Sequence, residues 1–372
     1  MMPIGCISGK TASHALAVPF LAMALLVAGC GDTGESSRSS QTAIQVHQGE
    51  AQGTTYSIKY LSQERVPDSL FEDLLEVVDR EVNLWRPEST INQINAWDRT
   101  DSLFGFADTN QIIGPLWALS AELHELTRGA FDPTVKPLVE LWGFGLSKRG
   151  AVSAADVDSV LAFTGLYPDR FDMNEDEEDN HYVATWVRKG DGRAAIDFNA
   201  VAQGYTVDLL LEVLRERGIR NAMVELGGEV VCRGENDKGR PWRIAVDRPV
   251  VGSSASDRVL ETVVAVQDRA ICTSGSYRKF YEQDGRRYSH TIDPASGWPV
   301  ENGLLSATVM APSAAYADAL ATAFMVLGEP QTRAFLDAYP ELGLDVLLMS
   351  DDGAGGYRLW ESTGFKAVSS PL

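Results

Sequence analysis

Strand-like runs cluster along this chain instead of taking turns with helical ones, and that grouping is the strongest constraint on its fold. Residues 54–60 (TTYSIKY), 182–187, 222–226, 242–246 and 259–267 carry the alternation or the β-branched content of strands. Helical spacing follows Pro67, where Leu70, Leu74, Leu75, Val78 and Val82 recur, and returns in Ile112, Leu116, Leu119, Leu123 and Leu126. Further helices are predicted at about 203–217 and 314–327. A doubly wound parallel sheet needs strands and helices in strict alternation; this order predicts an α+β fold.

The 372 residues are 44% hydrophobic and 23% charged, enough apolar material for one large domain or two modest ones. A net charge of -20 excludes general affinity for nucleic acid, which needs clustered Lys and Arg. Residues 15–29 (ALAVPFLAMALLVAG) form a short apolar run behind Lys10, as in a secretory signal, and are too short to span a bilayer comfortably. The run ends in Leu26-Val27-Ala28-Gly29-Cys30, where bacterial lipoprotein signal peptidases cut, so residues 1–29 are predicted as leader and Cys30 as the lipidated residue. An ordinary signal peptide followed by an unrelated cysteine is the competing reading. Residues 30–45 are small and polar, as in a flexible tether, and 46–372 are predicted as one folded unit with room for two lobes.

Cys232 and Cys272 remain in the folded part; they permit one disulfide but fit buried apolar side chains better. With no CxxC pair or Cys/His cluster, zinc and iron–sulfur sites lack support. The acidic stretch 169–179 (DRFDMNEDEED) is predicted as a solvated loop, since its spacing is not that of a calcium-binding loop.

Several short segments mix glycine, aromatic and polar residues. Gly227-Gly228 reads as a turn after a strand. Thr273-Ser274-Gly275 offers hydroxyls and backbone N–H groups to a phosphate, or forms a polar turn. Asp318 and Thr322 stand four residues apart, hence on one helix face, with small residues between; such an oxygen pair suits Mg²⁺, and an Asp capping its own helix is the alternative. His290 lies among polar residues in YSHTIDP, after a hairpin predicted at Asp284-Gly285, and is a candidate base.

Six segments carry a family resemblance: GTTY at 53–56, GAFDPTVKPLVELWGFG at 129–145, IDFNAVAQGYTVD at 196–208, TSGSYR at 273–278, SHTIDPASGWPV at 289–300 and ADALATAFMVLG at 317–328. Taken in this order from about Gln52 to Gly328, the chain resembles the ApbE family of FAD:protein FMN transferases. The resemblance implies a single T-fold-related domain of α+β class, with a flavin site between its lobes. It also implies a site built from Gln52, Trp85, Ala130-Phe131-Asp132, Asp197, Gln203 and the backbone near Ile292, with Thr273, Ser274 and Gly275 beside the phosphates. Trp85 and Phe131 would offer faces for ring packing. Mg²⁺ would be held by the side chains of Asp318 and Thr322 with the carbonyls of Ala200 and Ala321. Many members have Met at the place of Gln52 and Lys at that of Gln203.

The reaction implied is transfer of FMN from FAD to a Thr or Ser hydroxyl, with release of AMP. His290 would act as base and Asp318 mainly as metal ligand. Acceptors would be subunits of membrane redox complexes, and the domain would sit on the periplasmic side of the cell envelope, anchored through Cys30. A periplasmic FAD-binding or storage lipoprotein and an FAD pyrophosphatase are the other readings of the same site.

Overall fold

Eight strands pair into one sheet in the order in which the chain makes them, and every neighbouring pair is antiparallel. They are β1 (Ala43–Ala51), β2 (Thr54–Ser62), β3 (Ala222–Leu226), β4 (Glu229–Arg233), β5 (Arg269–Gly275), β6 (Leu304–Ala311), β7 (Asp345–Asp351) and β8 (Tyr357–Glu361). The computed structural model describes residues 43–147, 150–174, 176–178, 181–183, 186–250, 259–277, 280–283 and 286–371, with the backbone alone at 176–178, 181–183, 282–283, 286–287 and 371. The predicted leader, Cys30 and most of the tether lie outside these residues. β1 begins slightly ahead of the predicted domain start at 46, because Ala43–Ala51 pair residue for residue with Thr54–Ser62.

The large excursion between β2 and β3 holds α1 (Asp68–Val82), α2 (Thr90–Ala96), α3 (Ile113–Leu126), α4 (Lys136–Leu141), α5 (Ala154–Leu161) and α6 (Ala202–Glu216). α7 (Ala314–Ala338) joins β6 to β7, and α8 (Thr363–Val368) follows β8. α1 follows Pro67 with Asp68 in its first turn and buries Phe71, Leu75, Val78 and Val82 on one face. α7 is broken at Gly328, whose φ of +73° is open to glycine; Pro330 follows, so the predicted end near 327 marks a real interruption.

Both faces of the central strands are buried. Val231, Ala270, Cys272, Val309, Val346 and Leu348 face α6 and α7, while Val230, Cys232, Ile271, Met310, Leu347 and Met349 face the strands at Trp242–Asp247 and Leu260–Val266 and α8. The two cysteines therefore point to opposite faces, and both are buried and free, as the apolar reading expected. Residues 41–372 hold together as one unit. Among the described residues no helix is long and apolar enough to cross a membrane.

Three local expectations change. Within 169–179, Phe171–Met173 form a strand paired with Trp186–Lys189, and Asp176–Glu178 pair with His181–Val183, so this stretch is not a simple loop. Buried Phe171 and Met173 flanking Asp172 supply the alternation that the acidic composition hides. The single strand predicted at 182–187 is two, His181–Val183 and Trp186–Lys189. Thr273–Gly275 form the end of β5 and not a turn. Phe280–Gln283 pair with Arg286–Ser289 on either side of the predicted hairpin, whose own residues, 284 and 285, lie outside the described ones.

Lys189 is fully buried, and its Nζ donates to the carbonyls of Asn95 at 2.9 Å and Trp97 at 2.7 Å, at the C-terminal end of α2. Burial holds this amine down to about 8, with Asp98 pulling the other way.

Candidate functional site

The site is centred where α6 crosses α7. Gly204 opens the crossing: a Cβ there would lie 2.3 Å from the Ala314 carbonyl oxygen and 2.8 Å from the Asp318 Cβ. This close approach lets the Gly204 N–H donate to Asp318 Oδ2 at 3.0 Å. Asp318 is 6% exposed. Burial, reinforced by Asp208, holds its carboxyl well above the usual carboxylate range. Asp208 in turn accepts from the N–H groups of Ala314 and Ala315, both at 2.9 Å, and so caps the α7 N-terminus.

One turn on, Thr322 presents its hydroxyl 2.8 Å from that of Ser274 on β5. Cys272 and Ser274 share the helix-facing side of that strand, with the Cys272 thiol 3.5 Å from the Ala314 carbonyl. Thr273 consequently faces the opposite side, where its hydroxyl meets that of Thr308 at 2.8 Å; its side chain is not with Ser274 and Thr322. Ala321 is fully buried in the same turn of α7 as Asp318 and Thr322, and Ala200 lies just ahead of α6.

At the other rim, Glu229 begins β4, directly after the Gly227-Gly228 turn, and is 8% exposed. Its Oε2 has no hydrogen-bond partner among the described residues. Burial pushes its carboxyl far up, and the Asp318 charge adds to this. The predicted turn is thus correct, but it also seats a buried acid beside Asp318. Nothing in the spacing of VELGGEV announces that.

Gln52 and Gly53 form the β1–β2 turn with φ of +50° and +73°, the left-handed pair that a two-residue hairpin requires. A non-glycine residue in this region is uncommon, and here it aims the Gln52 amide at α6, where it donates to Thr206 Oγ1 at 2.8 Å. Gln203 points toward the same hairpins: a Cβ on Gly227 would lie 3.0 Å from both its Nε2 and Thr54 Cγ2.

The 129–145 segment meets the chain that leads into α6. The Asp197 N–H donates to the Pro133 carbonyl at 2.7 Å, and the Asp197 carboxylate accepts from the Asn199 N–H. Asp132 is buried, accepts from the Thr134 N–H and hydroxyl at 2.7 and 2.6 Å, and lies 3.6 Å from His124 Nδ1. Ala130 and Phe131 are also buried, with Phe131 in the main core and so not an open stacking face. Trp85 is 61% exposed and keeps its ring accessible.

Trp142 Nε1 donates to the Gly297 carbonyl at 2.8 Å, and Ile292 packs with Leu138, Trp142 and Val157. His290 is half-buried, with its ring edge-on to Phe144 at 6.3 Å between centroids. Gln52–Thr206, Asp197–Pro133, Gly204–Asp318, Ser274–Thr322 and Trp142–Gly297 thus stitch five of the six sequence segments, and Gln52 just ahead of the sixth, into one network.

The model of the ApbE family matches residues 52–348. The FAD:protein FMN transferase of Vibrio cholerae is 35% identical over 358 residues, covering 94% of this chain and 98% of that protein. The chain belongs to the ApbE family. The Escherichia coli K12 protein of the same name is 30% identical over 362 residues, with 94% and 96% covered. The flavin transferase ApbE structure from Vibrio cholerae superposes with a TM-score of 0.73 at 34% identity, covering 88% and 99% of the two chains. The apo Pseudomonas stutzeri flavinyl transferase ApbE gives 0.74 at 30%, with 88% and 97% covered. The antiparallel sheet with helices packed on it is therefore the ApbE fold.

The candidate site offers hard oxygen donors without a ready-made cage. No group of three or more His, Cys, Asp or Glu among the described residues is arranged to hold a metal. Magnesium needs fewer, since it uses one or two carboxylates and takes its remaining ligands from substrate phosphates and water. Two buried acids, one oxygen of which has no partner, and the hydroxyl of Thr322 fit that requirement.

Proposed function

We propose that this chain is a magnesium-dependent FAD:protein FMN transferase that attaches FMN to a Thr or Ser hydroxyl of another protein, releasing AMP. The observation that carries this is the burial of two mutually opposing acids, Asp318 and Glu229, with Thr322 one turn along α7 from Asp318 and one carboxylate oxygen left unpartnered. A buried unpaired acid is costly unless something cationic meets it.

Asp318 and Thr322, with the carbonyls of Ala200 and Ala321, would hold Mg²⁺, which when bound would offset the pyrophosphate charge and polarise the phosphoryl group. The remaining work belongs to the chain. Gln52 and Gln203 bring amide groups to the start of α6, Gln52 against Thr206 and Gln203 against the Gly227 turn, where they would meet the phosphates. Trp85 offers an exposed ring face for the flavin to pack on. The acceptor hydroxyl oxygen bonds to the FMN-side phosphorus while the bond from that phosphorus to the bridging oxygen breaks. The bridging oxygen leaves on AMP, and His290 takes the hydroxyl proton.

The proposed setting is the periplasmic side of the cell envelope, with Cys30 lipidated and acceptor subunits of membrane redox complexes within reach. Incubation with FAD, Mg²⁺ and an acceptor carrying an exposed Ser/Thr motif tests the reading. Covalently fluorescent acceptor is expected; free FMN would make the protein a pyrophosphatase, and intact FAD a binding or storage protein.

A further inference from the structure

Glu229 belongs to none of the six recognised segments, yet it is more than nine-tenths buried and its Oε2 meets no donor among the described residues. Gly227, the first residue of the turn ahead of it, lies against that oxygen. A Cβ on Gly227 would lie 3.2 Å from Glu229 Oε2 and 3.0 Å from Gln203 Nε2, and so would occupy the space that both groups face. Gly227 also has a φ of +68°, so side chains are disfavoured there twice over. The Asp318 charge opposes that of Glu229, and burial, with both acids adding to it, pushes the Cys272 thiol up. A hydrophobic residue at 229 would be the cheaper way to fill a buried strand position, so the acid calls for a ligand.

We propose that Glu229 is a second carboxylate of the cation site, acting with Asp318 on the divalent ion either directly or through a water that the ion holds. This rests on the metal reading above and adds a residue to it. Gly227, with no side chain, then leaves the opening beside the Glu229 oxygen that the ion or its water would take, and Gln203 borders it.

The test is Mn²⁺ binding by the full domain, followed by electron paramagnetic resonance and calorimetry, with and without FAD, alongside melting temperature in EDTA. Glu229→Gln keeps shape and removes charge; it should bind Mn²⁺ about 10–100-fold more weakly, the range expected when a group that tunes a metal site is lost. Its melting temperature in EDTA should equal or exceed that of the unsubstituted protein, because a like-charge contact is gone. Gly227→Ala should weaken Mn²⁺ binding in the same direction by crowding the opening. Asp318→Asn is the control. If it loses Mn²⁺ while Glu229→Gln binds normally, Glu229 is a buried structural acid and the proposal falls while the metal site stands. If the unsubstituted protein shows no specific Mn²⁺ binding even with FAD, or Asp318→Asn binds Mn²⁺ as tightly as it does, the metal reading fails and takes this proposal with it.

Discussion

At the scale of single residues, the proposed reaction divides between groups that would hold charge and a group that would move a proton. Asp318→Ala removes a buried carboxylate from the cleft without removing core packing, so transfer should fall by at least about 100-fold while the fold persists. Thr322→Val keeps the shape and loses one hydroxyl, and should cost less. Rates measured in limiting Mg²⁺ decide this, since a normal rate for Asp318→Ala would place the metal elsewhere. His290→Asn should slow single-turnover transfer by about 10²–10⁴-fold with FAD affinity preserved. Weak FAD binding with normal turnover at saturation would instead assign His290 to loop support. Most of these residues were legible because they sit in motifs whose chemistry is local, such as the acid and hydroxyl four apart in α7. Glu229 was not, because a lone acid after two glycines looks like an ordinary turn until the fold buries it. Thr273 makes a related point, since its side chain lies across the strand from that of Ser274: spacing alone does not say which face of a strand a hydroxyl takes.

Among the elements, the α6–α7 crossing sets the site. Exposed helical glycines usually gain about 0.5–1 kcal/mol on replacement by alanine. Gly204→Ala should show the opposite sign, losing about 1–3 kcal/mol, because its methyl would meet the Ala314 carbonyl at 2.3 Å and force the helices apart. Thermal unfolding reads the sign directly, and Mg²⁺ dependence of activity should deteriorate with it as Asp318 shifts. A second element-level device is the tie from Lys189 to the end of α2. Its amine titrates lower in the fold, at about 8, than in the unfolded chain, so between about pH 8 and 10.5 the unfolded state binds more protons. Stability should therefore rise through that window relative to Lys189→Met, and parallel melting curves against pH for the two proteins would refute it. Helix positions were readable from periodicity, and α1, α3 and α6 fall within a few residues of expectation. β4 to β7 were harder, since strands buried on both faces, such as LLSATVMA and DVLLMSD, lose the alternation that marks a half-exposed strand.

For the whole molecule, the charge of -20 and the proposed lipid act together. An acidic domain held near an anionic membrane surface would be repelled and would project from it, and a polar tether suits that geometry. Cys30→Ser should leave transfer in solution unchanged while releasing the protein from membranes or blocking leader removal. Fractionation that finds it still processed and membrane-bound would end the lipoprotein assignment. The ordering of the main sheet carries a different consequence, for how the chain acquires its structure. Each strand adds beside the one made before it, so β3 with β4 and β7 with β8 close through short connections and can form early. The pairing of β2 with β3 must instead wait for the whole excursion carrying α1 to α6, including Asp132, Asp197 and Gly204, to be threaded between them. Catalytic competence should consequently lag behind sheet formation during refolding, since the last seam to close is the one flanked by Gln52 and Gly227.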